Sequence, residues 1–313
     1  MTGLPSPWLP TAPCTPGQCA TGTADARAGG RARAALHLTV GLVTVLAGVV
    51  LAPPAALLRP AARRALTRLW CGAVLRAFGV RVRVTGTPRP GPHLVVANHI
   101  SWLDVPLVAA VLPGRMVAKS EVRHWPVLGA LAARGGTFFL ERDRIRALPG
   151  LVRDLADALA GGARVVVFPE GSTWCGRAQG RFRPAAFQAA LDAGVPVQPV
   201  RITYRPLGPA AFVGADPLAA SLRRVAAAAA GRGGLTAEIE LLEPVPAARH
   251  PDRRTLAAAA EHAVRSARAL PAAGAGAGPH TAVAKDRPNQ PFSSVHHRVS
   301  SRPAADSSFR TPS

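Results

Sequence analysis

Short apolar runs alternate with longer, helically periodic segments from Val80 onward. The strand-like runs are Val80–Val84, Leu94–Ala97, Arg115–Ala118, Thr137–Leu140, Arg164–Phe168, Val197–Tyr204 and Glu238–Leu242. They are short, rich in β-branched residues and mostly bounded by Gly, Pro or polar residues. Between them, Ser101–Leu112, Val122–Arg134, Arg144–Ala160, Pro184–Ala193, Pro217–Ala230 and Arg253–Leu270 are predicted helices. Alternation of this kind predicts an α/β fold with a mixed, largely parallel sheet flanked by helices.

The pattern changes before Val80. Ala34 to Leu58 carries no formal charge, and its centre, Leu38–Leu51, approaches the length of a membrane span. Pro53 and Pro54 end or bend a helix there. An N-terminal apolar membrane-anchor helix is expected, and a spanning and a monotopic placement both fit. The small residues of Ala52–Ala56 also fit a signal-peptide cleavage region, but basic residues flank both ends of the segment and favour an anchor. Residues 1–33, rich in Pro, Gly, Ala and Thr, and residues 271–313, which contain His296 and His297, read as disordered, solvated tails. The resulting division is tail 1–33, anchor and basic membrane-proximal helix 34–78, globular domain 79–270 and tail 271–313.

With 313 residues the chain can bury a proper core. Its basic excess is 38 − 17 = +21, carried by Arg, with Lys119 and Lys285 the two lysines. Where the charge clusters matters more than its sum. Arg59, Arg63, Arg64, Arg68, Arg76, Arg81, Arg83 and Arg89 occur in a stretch without Asp or Glu, directly after the apolar segment. An anionic membrane surface suits such a block, at about 1 kcal/mol per basic residue near the headgroups. No interleaved aromatics or finger spacing accompany it, so no nucleic-acid partner is expected. Cys14, Cys19, Cys71 and Cys175 show neither zinc spacing nor a paired framework, which reads as a reduced, cytosolic setting with no assigned role.

Asn98-His99-Ile100-Ser101-Trp102-Leu103-Asp104 is the segment richest in chemistry. It follows a predicted strand, with Ser101 as the expected helix N-cap and Asp104 in the first turn. A carboxylate that accepts from one imidazole nitrogen leaves the other basic, able to deprotonate a hydroxyl. A capping Asp beside a surface His, or a metal-ligand pair, fits the same spacing. His93 and His124 do not complete a metal set, and no metal is expected.

Four segments occur in order: Asn98-His99…Asp104, Gly136-Thr-Phe-Phe-Leu-Glu-Arg142, Phe168-Pro-Glu-Gly171 and Val195-Pro-Val-Gln-Pro-Val200. Over residues 75–245 the chain thereby resembles the 1-acylglycerol-3-phosphate acyltransferases, the PlsC-like lysophospholipid acyltransferases. The resemblance implies that the 79–270 region is an acyltransferase domain with His99 as general base and Asp104 as its support. It implies an acceptor site formed by Asn98, Lys119, Arg142, Glu170, Gly171 and Ser172, with Arg142 on the acceptor phosphate and Val195–Val200 beside the acyl donor. It further implies transfer of a fatty acyl group from acyl-CoA or acyl-carrier protein, with no other cofactor, to a lysolipid hydroxyl at the cytosolic face of the cell membrane. The expected acceptor is 1-acyl-sn-glycerol-3-phosphate, giving phosphatidic acid.

The third motif departs from the family pattern. Ser172-Thr173-Trp174 follows Glu-Gly, so an Arg common in the family is replaced by Thr173, and Phe182-Arg183-Pro184-Ala185 replaces a Phe-Lys-x-Gly-like stretch. Arg177, Arg181 or Arg183 would then supply the missing cation, or the acceptor lacks a phosphomonoester, as lyso-ornithine lipid does. A non-enzymatic basic membrane- or nucleic-acid-binding protein is the competing reading.

Overall fold

The computed structural model describes residues 11–20, 28–142 and 144–267. The tail 271–313, with His296 and His297, lies outside these residues. Seven strands make one sheet: β1 (Val80–Thr85), β2 (Leu94–Ala97), β3 (Arg115–Lys119), β4 (Phe138–Leu140), β5 (Val165–Val167), β6 (Val197–Arg205) and β7 (Leu235–Leu241). Their order is β1-β7-β6-β2-β5-β3-β4, and every neighbouring pair is parallel except β6 with β7. This is the mixed, largely parallel sheet that the alternation predicts.

Strand pleat sorts the core into two layers. Along β2, Val95 and Ala97 join the layer that contains Leu75, Phe78, Leu107 and Val225, whereas Leu94 and Val96 join the layer with Leu155, Phe187, Leu256 and Ala260. Strand β6 continues the alternation, with Val200, Ile202 and Tyr204 on the first side and Val197 on the second. The helices Pro60–Ala77, Asp104–Val111 and Leu218–Ala230 cover the first face, and Leu148–Ala160, Phe187–Asp192 and Arg253–Ser266 cover the second.

Several helices begin later than periodicity suggests, each for a local reason. Ser101 is not an N-cap. Its hydroxyl accepts from Leu103 N at 3.2 Å, and the helix begins at Asp104. The Val122–Arg134 segment splits into a 3-10 turn, Ser120–His124, and a helix, Leu128–Arg134. Pro126 excludes helical backbone at Trp125, whose ψ is 130°, and Val127 is forced to φ 66°. Pro149 likewise starts a fresh helix at Leu148 after the 3-10 turn Ile145–Ala147. Strand β7 starts three residues before the expected Glu238, because Leu235 and Ala237 share the buried face of Ile239.

The expectation that residues 1–33 are disordered is corrected at two places. Residues 11–20 are ordered, with a helical turn Pro16–Cys19 and with Cys14 and Ala20 buried. The apolar helix begins at Ala28 and runs to Ala55, taking in both prolines. It docks on the domain through glycines. A Cβ on Gly41 would lie 2.6 Å from the Phe78 ring, and one on Gly48 would lie 2.3 Å from Trp70. Trp70 Nε1 donates to Thr44 O at 3.0 Å, and His37 Nδ1 lies 3.2 Å from Ala77 O. The opposite side is bare: Leu36, Val43 and Val50 are all exposed.

The basic block divides on folding. Arg68 donates to Val111 O, Arg81 to Gly233 O and Arg89 to Glu243, so these guanidinium groups tie elements together. Arg59, Arg63 and Arg64 stay exposed beside the bare apolar helix. If the glycine seam sets that helix, Gly48→Val should separate it from Trp70. The expected cost is about 1–3 kcal/mol of overpacking, read as a lowered unfolding midpoint of the full chain in detergent.

Candidate functional site

Strands β2, β3, β4 and β5 run in one direction, and their carboxyl ends deliver the site. His99 follows β2, Lys119 closes β3, Arg142 lies two residues beyond β4, and Glu170 three beyond β5. Open α/β sheets place ligands in the crevice outside these strand ends. A cleft of about 1960 Å³ lies here, with His99, Lys119, Arg142, Gly171, Ser172 and Arg183 in its walls. It continues along Leu42, Leu46, Leu51 and Leu66 of the first two helices. Small-molecule pockets typically span about 300–1,000 Å³, so this one has room for a long apolar substrate.

Behind His99 lies Asp104, whose side chain is fully buried. Oδ2 accepts from Ile100 N at 2.6 Å and Ser101 N at 2.8 Å, and lies 2.8 Å from His99 Nδ1. Oδ1 accepts from the Tyr204 hydroxyl at 2.6 Å. A carboxylate only accepts, so Nδ1 carries the proton and Nε2 is the basic nitrogen. The ring stacks on Phe168 at 4.2 Å, and its 20% exposure, against none for Asp104, leaves it open to the cleft. Burial and Asp104 both push the Tyr204 hydroxyl well above its ordinary pKa, which keeps it a donor.

The loops around this pair are tied to its backbone. Glu170 Oε2 accepts from His99 N at 2.8 Å and Oε1 from Gly180 N at 3.0 Å. Trp174 N donates to His99 O at 2.7 Å, and Phe212 N to Ile100 O at 3.0 Å. Gly171 turns the chain after Glu170 at φ 75°, a conformation glycine adopts without strain. Arg142 Nη2 donates to the Gly171 carbonyl, while its Nε and the Ser172 hydroxyl are buried without partners. Burial lowers the Arg142 pKa. Lys119 Nζ stands 5.6 Å from the Trp125 ring centroid, within cation–π reach.

Two residues expected to contact substrate do other work. Asn98 is buried, with Nδ2 donating to Ile202 O at 2.9 Å and Oδ1 accepting from Ile202 N at 2.8 Å. Its amide is therefore spent clamping β2 to β6. Glu170 is also buried and holds backbone N–H groups rather than facing the cleft. None of Val195–Val200 lines the cleft. This stretch enters the centre of the sheet, and Gln198 Nε2 donates to Leu242 O at 2.6 Å. Of the cations offered in place of Thr173, Arg183 reaches the cleft, whereas Arg177 donates to Gln18 O at 3.3 Å and Arg181 is exposed outside it. Tyr204 escaped the sequence reading. Its one signal is that the chain's single tyrosine shares strand parity with the buried Val200 and Ile202.

Two measurements check these assignments. Tyr204→Phe leaves Oδ1 of a buried carboxylate without a donor, which should cost about 1–3 kcal/mol by denaturant unfolding. Burial pushes the Glu170 carboxyl up to about 8, against the lowering pull of the His99 and Gly180 N–H groups. The folded state therefore holds this proton more tightly than the unfolded chain, whose value is 4.5. Its stabilising contribution is full below the unfolded pKa and is lost as pH rises through the folded one. The urea midpoint of the native chain should accordingly fall relative to Glu170→Gln between those two pKa values, then run parallel above them.

Comparison with known proteins gives the site a family. The acyltransferase family model matches residues 81–203. A lyso-ornithine lipid O-acyltransferase from Pseudomonas aeruginosa is 39% identical over 213 residues, covering 66% of this chain and 79% of that protein. A 1-acyl-sn-glycerol-3-phosphate acyltransferase from Neisseria gonorrhoeae is 37% identical over 142 residues, 45% of this chain and 56% of that protein. The crystal structure of the 1-acyl-sn-glycerophosphate (LPA) acyltransferase PlsC from Thermotoga maritima shares the fold. Its TM-score is 0.57, at 22% identity, over 75% of this chain and 95% of that one. The chain belongs to the acyltransferase family, among the PlsC-like lysophospholipid acyltransferases, and is an acyltransferase enzyme.

Proposed function

We propose that this enzyme moves a fatty acyl group from the thioester of acyl-CoA or acyl-carrier protein to the hydroxyl of an anionic lysolipid. The acceptor is 1-acyl-sn-glycerol-3-phosphate, and the product phosphatidic acid. The reading is carried by the Asp104-bonded His99, whose free nitrogen opens into a cleft walled by Lys119, Arg142, Ser172 and Arg183. His99 Nε2 takes the hydroxyl proton as the oxygen attacks the thioester carbonyl. The tetrahedral intermediate collapses, the C–S bond breaks, and the imidazolium returns its proton to the departing sulfur, so the thiol is released and His99 is regenerated. A thioester is already activated, so no metal, cofactor or covalent enzyme intermediate enters the scheme.

Lys119 and Arg183 supply the charge for the phosphate, and the unpartnered Ser172 hydroxyl and Arg142 Nε offer further donors. A second reading, acylation of lyso-ornithine lipid, is favoured by Thr173 at the position of the family's Arg and by the high coverage of the Pseudomonas aeruginosa relative. Both headgroups present an anionic group, a phosphate in the first and a carboxylate in the second, where a side-chain ammonium accompanies it.

The bare face of Ala28–Ala55 and the exposed Arg59, Arg63 and Arg64 support attachment to the cytosolic face of the cell membrane, where the donors are made. Docking along Gly41 and Gly48 favours a helix that lies with the domain on an anionic surface over one that leaves it to cross the bilayer.

The test is acyl transfer by the purified full chain in lipid vesicles, offered both acceptors and both donors. His99→Ala should lose about 10²–10⁴-fold in turnover and Asp104→Asn about as much, with folding checked by the unfolding midpoint. Full turnover in a folded His99→Ala chain would refute the mechanism. Preference for lyso-ornithine lipid would replace the first acceptor with the second.

A further inference from the structure

We infer that Cys14, Cys19 and Cys175 form a structural site for a soft divalent metal ion, Zn²⁺, which fastens the N-terminal segment to the loop beside His99. The three sulfur atoms all lie within 4.8 Å of one another. Tetrahedral coordination with Zn–S bonds of about 2.3 Å sets them about 3.8 Å apart, so small side-chain adjustments complete the site. Cys14 and Cys175 are buried and Cys19 is partly so. Among the described residues no fourth His, Cys, Asp or Glu joins them, which leaves one position for solvent.

The surroundings fit metal ligation better than simple packing of three thiols. The chain turns back directly after Cys175, which keeps that residue beside Cys14 and Cys19. Gly176 makes that return possible at φ 82°, and a Cβ there would lie 2.6 Å from Leu207 and 3.0 Å from Ile100. On the other side, Thr15–Cys19 closes a helical turn, with Cys19 N donating to Thr15 O at 3.0 Å. Cys14 and Cys19 are thereby presented together.

Energetics point the same way. Within residues 11–20 only Cys14 and Ala20 are buried. Ala12, Pro16 and Cys19 are partly buried as well, with Ala12 and Cys19 packed on the cluster of Cys14, Cys175, Ala211 and Val213, yet such small side chains bury little apolar surface against the backbone entropy of ordering the segment. Metal–thiolate bonds supply the missing stabilisation. A disulfide would unite two sulfurs and strand the third, whereas a metal takes all three. Thiolates also select Zn²⁺ over harder cations, and a reducing compartment favours metal over disulfide.

Position gives the site its consequence. Cys175 follows Trp174, whose N–H holds the His99 carbonyl. The metal thus sets the loop that carries Gly171 and Ser172 without touching substrate.

The test is metal analysis of the full chain purified without chelator, followed by stripping and titration with Zn²⁺ or Co²⁺ alone. About one ion per chain is expected, with Co²⁺ giving thiolate charge-transfer absorption and intense tetrahedral bands. Cys14→Ser, Cys19→Ser and Cys175→Ser should each weaken binding about tenfold or more, while Cys71→Ser, whose cysteine lies in the Pro60–Ala77 helix, should retain it. Cys19→Ser alters the least buried of the three and keeps the test open should the other variants misfold. Three outcomes would each overturn the site: below about a tenth of an equivalent with no Co²⁺ spectrum, equal loss in Cys71→Ser, or a disulfide among the three found by thiol labelling. None depends on acyl transfer, so the site stands or falls apart from the reaction.

Discussion

A single buried carboxylate organises this enzyme. Asp104 has no contact with solvent, and an isolated charge there would cost several kcal/mol. Four donors compensate it: two backbone N–H groups, an imidazole and a phenol. The N–H groups of Ile100 and Ser101 can reach Oδ2 only if the chain turns tightly between β2 and the following helix. That turn is why the helix begins at Asp104 and why Ser101 is not its cap. The carboxylate shapes the backbone, and the backbone then aims the imidazole.

Aiming the imidazole requires that the turn not move. Asn98 grips Ile202 on the β6 side, Glu170 and Trp174 hold the two backbone atoms of His99, and Phe212 takes the carbonyl of Ile100. Two loops and strand β6 therefore converge on three consecutive residues. A general base gains from this because small displacements of a reacting nitrogen are costly in rate. Asn98 and Glu170 act through geometry, as supports of the turn that carries His99.

How much of this was legible follows from the range of the interactions. Strand parity along Leu94–Ala97 and Val197–Tyr204 is local, so the sheet could be read from single runs. The His99–Asp104 pair was legible for the same reason, since five residues across one turn confine both side chains. The exchanges of Asn98 with Ile202 and of Tyr204 with Asp104 span about a hundred residues, and no local pattern encodes them. Cys14 and Cys175 are farther apart still. Pro126 and Pro149 were visible, but helical periodicity continued across them and concealed their effect on helix starts.

The remaining constraint is the meeting of opposite environments. Asp104 sits in a dry, low-dielectric core, where it holds the imidazole strongly, whereas His99 faces the cleft. The carboxyl end of β2 satisfies both, because the strand and helix bury the carboxylate while the adjoining cleft admits the ring. From there the cleft continues along Leu42, Leu46 and Leu51, the same helix whose outer face carries exposed Leu36, Val43 and Val50. An apolar chain following that wall would keep its hydrocarbon out of water as far as His99. Gly41 and Gly48 let that wall approach the domain closely, which ties a packing detail remote from His99 to the shape of the cleft.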